Sequence, residues 1–314
     1  MPSRSSPSSA ASPAAAHPSI TSGLLLAGAG SIAFSGKAII VKLAYRYGVD
    51  AVTLIMLRML FALPLFLFLA WWASRGKPPL TRRDWLGILG LGFTGYYLAS
   101  YLDFWGLQYI SASLERLILY LNPTLVLVLG WLIYKRRISR LQALAMAMSY
   151  AGVLVVFGHE AGQQGPDAAK GTLLVFLSAV SYAVYLVYSG EMVKRLGSLR
   201  LVGLATSVAC GFVLLQFALM RPLNTAFAVA PEVIQLSILN AVACTFAPVL
   251  MVMMAIERIG AGLAAQTGMV GPMSTILMGV LILGEPFNGW IVAGTVLVMG
   301  GVYLVTRFGR PPAP

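Results

Sequence analysis

The stretch YLDFWGLQYISASLERLILYLNP, residues 101 to 123, is apolar enough for lipid yet carries Asp103, Glu115 and Arg116. Other strongly apolar stretches hold Lys37 and Arg58. An ion at the centre of an inserted helix costs about 2.5 to 3.5 kcal/mol. Such residues are kept for pairing, proton transfer or contact with a polar solute. Helical spacing groups them with further polar side chains, because residues i, i+4 and i+7 share a face. Tyr96, Ser100 and Asp103 form one stripe, Glu115, Leu119 and Asn122 a second, and Ser178, Tyr182, Tyr185 and Ser189 a third. Gly30, Phe34 and Lys37 form the corresponding stripe of the first apolar segment. Facing acyl chains, these groups would be unpaired at several kcal/mol each, so the stripes are expected to face inward. The expected contacts join Asp103 and Glu115 to Lys37, Arg58 or Arg116, as a gate or as a binding site for a charged metabolite. The structural alternative makes Asp103, Glu115 and Arg116 a clamp around the tight connection GLQYISAS, snorkelling to the interface, with Arg58 a helix-packing anchor.

The elements that must hold these residues are helices in a membrane. Hydrophobic residues make up 59% of the chain and charged ones 10%, with mean hydropathy +0.83, whereas soluble domains average roughly 45–50% and 25%. At about 20 apolar residues per crossing, ten segments qualify: 21–45, 50–72, 85–107, 111–134, 139–158, 171–190, 200–220, 232–256, 261–283 and 288–307. Residues 1–19, rich in Ser, Pro and Ala, read as a disordered tail, with 159–170 as a linker and 308–314 as a second tail. The net charge of +12 sits in short clusters between apolar runs, which is not the concentrated basic face of a nucleic-acid binder. Cys210 and Cys244 lie inside apolar runs and His17 and His159 outside them, so neither a disulfide framework nor a metal site is expected. No cofactor is implied, and monomer and homodimer are equally compatible with the sequence. GLGFTG at 90–95 has nucleotide-loop spacing without a strand–turn–helix unit around it, and helix packing explains it better.

Placing both termini in the cytoplasm puts fifteen of the Lys and Arg side chains on that side and three, Arg46, Lys170 and Arg221, on the other. This satisfies the positive-inside rule. It makes 159–170 a non-cytoplasmic linker and both tails cytoplasmic. Four basic residues, Lys37, Lys42, Arg58 and Arg116, belong to no loop. At 1.5 Å per residue, Lys37 and Arg58 lie roughly 12 Å below the non-cytoplasmic end of their helices, and Asp103, Glu115 and Arg116 roughly 7 to 9 Å.

A shift of 149 residues lays Pro123 on Pro272, Ile110 on Ile259, Gly130 on Gly279 and Gly152 on Gly301. With a one-residue adjustment, Leu25 and Leu26 fall on Leu173 and Leu174, and Phe34 on Tyr182. The chain therefore reads as two five-span halves, 20–158 and 171–307. An odd number of spans inverts the second half relative to the first, the arrangement on which alternating-access transporters are commonly built. Each proline frees the carbonyl four residues back, at Leu119 and Gly268. Broken helix at membrane depth survives where protein or a wet cavity covers it, so Asn122-Pro123 and Gly271-Pro272 mark candidate walls of a midplane site.

Arg58 in the second span, the P-x6-G runs from Pro123 and Pro272, LILGEPF at 281–287 and GGVYL at 300–304 resemble the EamA-type members of the drug/metabolite transporter superfamily. The resemblance covers about 20 to 307. It implies an all-α integral membrane fold of ten transmembrane helices in two inverted five-helix repeats around a central cavity, and export of small organic metabolites. Where the family often repeats LGE in the first half, this chain has IYKRR at 133–137. Glu285 thus lacks a repeat counterpart and is expected, like Arg58, to be structural or to pair. The expected substrate and gating residues are Lys37, Tyr96, Ser100, Asp103, Glu115, Arg116, Asn122, Tyr182 and Tyr185. The partners are a small amphipathic solute such as an amino acid, the lipid bilayer of a bacterial inner membrane and, if transport is coupled, a proton carried by Asp103 or Glu115. An uncoupled facilitator is equally compatible. The alternative of another class is a membrane-embedded enzyme acting on lipid-linked substrates, for which Asp103 with Glu115 is the available pair.

Overall fold

The computed structural model describes residues 20–135, 138–165 and 167–308. The two tails expected at 1–19 and, from residue 309, at the C-terminus lie outside the described residues, as do Arg136 and Arg137. Among the described residues the chain is helical, without strands. The α-helices are α1 (Ile20–Tyr45), α2 (Ala51–Ser74), α3 (Arg82–Leu91), α4 (Ala99–Gly106), α5 (Ala112–Leu119), α6 (Asn122–Tyr134), α7 (Arg140–Gln164), α8 (Ala168–Leu196), α9 (Ser198–Met220), α10 (Pro231–Ala241), α11 (Ala247–Thr267), α12 (Val270–Met278) and α13 (Gly289–Phe308). Eight helical segments are long and apolar enough to cross a membrane: α1, α2, α5 with α6, α7, α8, α9, α10 with the first part of α11, and α13.

Four of the ten expected segments are interrupted; 111–134, broken between α5 and α6, and 232–256, with a π-helical turn at Val242–Phe246, are among the eight, and two others are not. The segment expected at 85–107 is made of α3, a π-helical turn at Gly92–Leu98 and α4. The one expected at 261–283 begins after Gly260, which breaks α11 at φ +77, and continues through α12 and a π-helical turn at Gly279–Leu283. Similarly, 159–170 is less of a linker than the composition suggests, since α7 runs to Gln164 and α8 starts at Ala168. Pro64 lies inside α2 without ending it.

Local signals start several helices. The Asp50 carboxylate accepts from the backbone N–H groups of Val52 and Thr53 ahead of α2. Thr81 with Asp84, and Ser139 with Gln142, form capping boxes for α3 and α7, each satisfying amide donors that the first turn leaves orphaned.

Exposure runs opposite to that of a soluble domain. Leu25, Leu219 and Leu281 are exposed, while Arg58, Asp103 and Glu115 are buried. A helix with apolar residues all round belongs in lipid or in a large core, and here outward side chains supply the apolar coat. α7 packs on α13, α2 on α9, α1 on α10 and α11, α4 on α8, and α5 on α12. Glycines set the closest approaches: a Cβ on Gly92 would lie 2.6 Å from the Ala205 carbonyl oxygen, and one on Gly95 2.5 Å from the Tyr185 ring. Helix packing thus accounts for those two glycines of the 90–95 run.

Candidate functional site

Between the helices lies a cavity of about 550 Å³. Both halves of the chain line it, from α1, α2, the α3–α4 segment and α5–α6 on one side to α8, α9, the α10–α11 segment and α13 on the other. Its walls include the two proline breaks. Pro123 cannot donate to the Leu119 carbonyl, and the side-chain amide of Asn122 does so instead at 2.6 Å. Pro272 cannot donate to the Gly268 carbonyl, which accepts from the Tyr120 hydroxyl at 3.0 Å. The break in one half is therefore tied to the break in the other. The Ser35 hydroxyl adds a 2.7 Å bond to the Gly271 carbonyl.

The α3–α4 segment carries a π turn at Gly92–Leu98, where i→i+5 hydrogen bonds replace the α-helical ones. The Ser181 hydroxyl donates to the Thr94 carbonyl at 2.8 Å, and that of Ser178 to the Ala99 carbonyl at 2.7 Å. These bonds fasten α8 to that segment, whose Tyr96, Ser100 and Asp103 border the same cavity.

Lys37, Asp103, Glu115 and Arg116 meet as one ion cluster. The Lys37 ammonium donates to Asp103 Oδ2 and lies 3.2 Å from Glu115 Oε1. Arg116 Nε lies 3.9 Å from Glu115 Oε2, while the same guanidinium donates to Thr275 Oγ1 at 2.9 Å and to the Phe34 carbonyl at 3.2 Å. Asp103 is 2% exposed and Glu115 not at all. At such burial, removal of one partner is strongly destabilising, because the other charge is left in low dielectric.

Of the residues singled out in the sequence, Lys37, Arg58, Tyr96, Ser100, Asp103, Arg116, Asn122, Pro123 and Tyr182 border the cavity. Glu115 sits behind its wall in the ion cluster, and Tyr185 behind Tyr96, its hydroxyl 3.1 Å from that of Tyr96. Pro272 is buried beside Gly271, and it is Gly271 that reaches the cavity. Of the two roles expected for Arg58, structural or pairing, no ion pair is seen: no carboxylate lies within 4.0 Å of it among the described residues, and its guanidinium stands over the Phe104 ring at 4.5 Å. Glu285 lies away from the cavity, accepting from the backbone N–H groups of Ala112 at 2.7 Å and Ser113 at 3.2 Å and from the Ser113 hydroxyl at 2.7 Å. Sequence reasoning missed Thr206, Thr245, Gln266 and Thr306, which also line the cavity. Thr245 is an isolated polar residue in an apolar run, and Thr206, Gln266 and Thr306 each have one polar neighbour, Ser207, Thr267 and Arg307, without a stripe to reveal their direction.

Beyond the ion cluster, toward Arg46, the helix ends are laced together. Lys42 Nζ donates to the Ile110 carbonyl at 2.9 Å, and Arg46 Nη2 to that of Leu283 at 2.8 Å. These bonds and the carboxylate of Glu285 tie the helix ends together around a second pocket of about 400 Å³ on that side.

A helical multi-pass membrane fold with ions gathered beside a central cavity defines the class as a membrane transporter. The profile of the EamA-like transporter family matches residues 21–158 and 169–307, and the chain belongs to that family, within the drug/metabolite transporter superfamily. A relative in Bacillus subtilis (strain 168), the uncharacterized transporter YcbK, is 32% identical over 292 residues, covering 88% of each chain. A probable amino-acid metabolite efflux pump of Salmonella typhimurium (strain LT2) is 25% identical over 255 residues, 78% of this chain and 82% of its own. A solved crystal structure at 19% identity matches 92% of this chain and 98% of its own with a TM-score of 0.61. That match speaks for the fold alone. Relatives and family are transporters, and the enzyme alternative has no support among them.

Proposed function

We propose that the chain is a secondary transporter that exports small organic metabolites, amino acids or related amphipathic solutes, by alternating access. In this reading it lies in a bacterial inner membrane with both termini cytoplasmic and ten crossings in two inverted five-helix repeats. The observation that carries the reading is the cavity itself: both halves line it, both proline breaks stand in its wall, and the ion cluster borders one end. The relative named as a probable amino-acid metabolite efflux pump supports the direction and the solute class.

Contacts that come in pairs support the repeat. A Cβ on Gly152 would meet the Gly294 carbonyl oxygen at 2.7 Å, and one on Gly301 the Ala145 carbonyl oxygen at 2.4 Å. The 149-residue shift exchanges these two contacts, carrying 152 to 301 and 145 to 294. A Cβ on Gly23 would meet Ile259 Cγ2 at 2.3 Å, and one on Gly171 would meet Ile110 Cγ2 at 2.9 Å. Those exchange in the same way, using the one-residue adjustment for the first span. Reciprocal pairs of this kind are what a pseudo-two-fold axis between the halves produces.

With the proposed topology, the Arg46 end faces outward with its helix ends tied together, while Phe66, Gln266 and Thr306 mark the cytoplasmic part of the cavity wall. Outward opening then requires Arg46 to leave the Leu283 carbonyl, Glu285 to leave α5, and the ions around Lys37 to exchange partners. A proton on Asp103 or Glu115 would release Lys37 from one of its two acids, which makes these the carriers if export is proton-coupled. The test is efflux of loaded amino acids from liposomes bearing the purified protein. Asp103→Asn, inserted in normal amount, is expected to abolish efflux. Wild-type rates from that variant would remove Asp103 from the mechanism, and solute retention by wild-type vesicles across the amino-acid panel would count against the assigned solute class.

A further inference from the structure

Three cations and Asp103 border the cavity, with Glu115 behind its wall, and both acids contact Lys37. Arg116 leans on Glu115. Arg58 is left over. It is 4% exposed, its Nε has no hydrogen-bond partner, and its Nη2 makes a long contact of 4.0 Å with the Met59 sulfur. The Phe104 ring attracts the guanidinium without cancelling its charge. Counted at neutral pH, the lining and the ions behind it carry one uncompensated positive charge. A buried ion left unpaired is strongly unfavourable, yet this one borders the cavity, where an anion entering with the contents can meet it. A guanidinium fork matches the planar, two-oxygen geometry of a carboxylate, and a single surplus charge suits a monoanion better than a phosphate dianion. Phe34, Phe66 and Tyr182 line the same space and offer an apolar body somewhere to lie.

We propose that Arg58 is the recognition residue for the solute's carboxylate, and that the carboxylate, not an amino group, is the feature the cavity selects. This deepens the reading of the cavity as the transport site and rests on it. An ammonium group would have to compete with Lys37, which already contacts both acids.

Ligand-induced shifts in melting temperature of the full-length protein in detergent separate the possibilities, with two matched sets of probes at neutral pH. One set is L-phenylalanine, 3-phenylpropionate and L-phenylalaninamide; the other is L-leucine, 4-methylpentanoate and L-leucinamide. In at least one set, both acids are expected to raise the melting temperature and the amide to leave it unchanged. Arg58→Gln is expected to weaken acid binding by roughly thirtyfold or more, with Arg58→Lys keeping part of it. Amides binding as tightly as acids, or silence from every acid, would overturn the proposal, as would wild-type acid binding by a folded Arg58→Gln. Displacement by chloride at equal concentration would mark a simple anion site and overturn it too. If Arg58→Gln fails to fold, the acid-against-amide comparison on the wild type decides alone. Liposome flux keeps the two readings apart: export of the amides without the acids sinks the carboxylate site and spares the transporter, whereas acids that bind but never cross do the reverse.

Discussion

After Tyr134 the first half of the chain turns left-handed at Lys135, whose amide donates to the Gly130 carbonyl; after Leu283 the second half does the same at Gly284, donating to Gly279. All three residues of each set are 149 apart. The π turn at Gly92–Leu98 likewise brackets the counterpart of the one at Val242–Phe246. Backbone geometry is thus repeated closely, down to the kind of helix defect. Charge is not. Lys37, Arg58, Asp103, Glu115 and Arg116 have Tyr185, Ser207, Val252, Ala264 and Ala265 as counterparts, using the one-residue adjustment for the first span. The defects that let helices bend were kept in both halves, while the groups that would handle a charged solute were placed in one. In the proposed alternating-access cycle a symmetric scaffold would rock between two related shapes, and an asymmetric charge set would make those shapes unequal in energy.

The sharpest way to break this comparison is to remove a charge on one side and its neutral counterpart on the other. Lys37→Met leaves Asp103 and Glu115 buried without their shared cation, and a loss of about 3–5 kcal/mol is expected. Tyr185→Phe gives up one hydroxyl contact with Tyr96, worth about 0.5–1.5 kcal/mol. Denaturant titration of both variants in the same detergent reads the difference directly. Equal losses would mean that the ion cluster is energetically ordinary.

Glu285 offers a second asymmetry, because its repeat position holds Arg136. Its carboxylate satisfies the first two amides of α5, where negative charge is also favoured by the helix dipole. Glu285→Ala is expected to destabilise the protein by about 1–2 kcal/mol. It should also speed labelling by a membrane-impermeant maleimide of a cysteine placed at the exposed Gln108, if this cap helps hold shut the Arg46 side, which the proposed topology turns outward. An unchanged labelling rate would make Glu285 a cap and nothing more.

Much of this was legible beforehand, for identifiable reasons. Apolar runs of lipid-spanning length marked most of the helices, and prolines at a fixed spacing marked both the repeat and the two carbonyls that need other donors. The i, i+4, i+7 stripes placed Tyr96, Ser100 and Asp103 on one face, which the π turn preserved by fortune of register. What the sequence concealed is long-range or defect-based. The π turn at Val242–Phe246 precedes Pro248, whose missing amide gives a local cause, but Ala99 stands at the matching place in the first half and carries no such signal. The contact of Glu285 with α5 spans 172 residues and follows from helix rotation, which no local pattern reports. Rotation also decided that Arg58 would meet Phe104 and not an acid. Thr206 could not be separated from residues such as Ser207, whose hydroxyl returns to its own helix at the Gly203 carbonyl.

The smallest expected effect tests the backbone half of the comparison. Lys135 adopts φ +53 and Gly284 φ +72, a region that costs an L-residue roughly 1–2 kcal/mol and glycine almost nothing. Gly284→Ala should therefore destabilise by about 1 kcal/mol, whereas Lys135→Gly should stabilise by about 0.4–1 kcal/mol net of the added freedom of the unfolded chain. Opposite signs at repeat-related positions follow if both helices must end in the same left-handed turn, whatever residue stands there. If Lys135→Gly destabilises instead, the lysine side chain contributes more than the strain it carries. The first-half turn would then owe its shape to charge, and the division between a repeated backbone and an unrepeated charge set would fail at the position where the two meet.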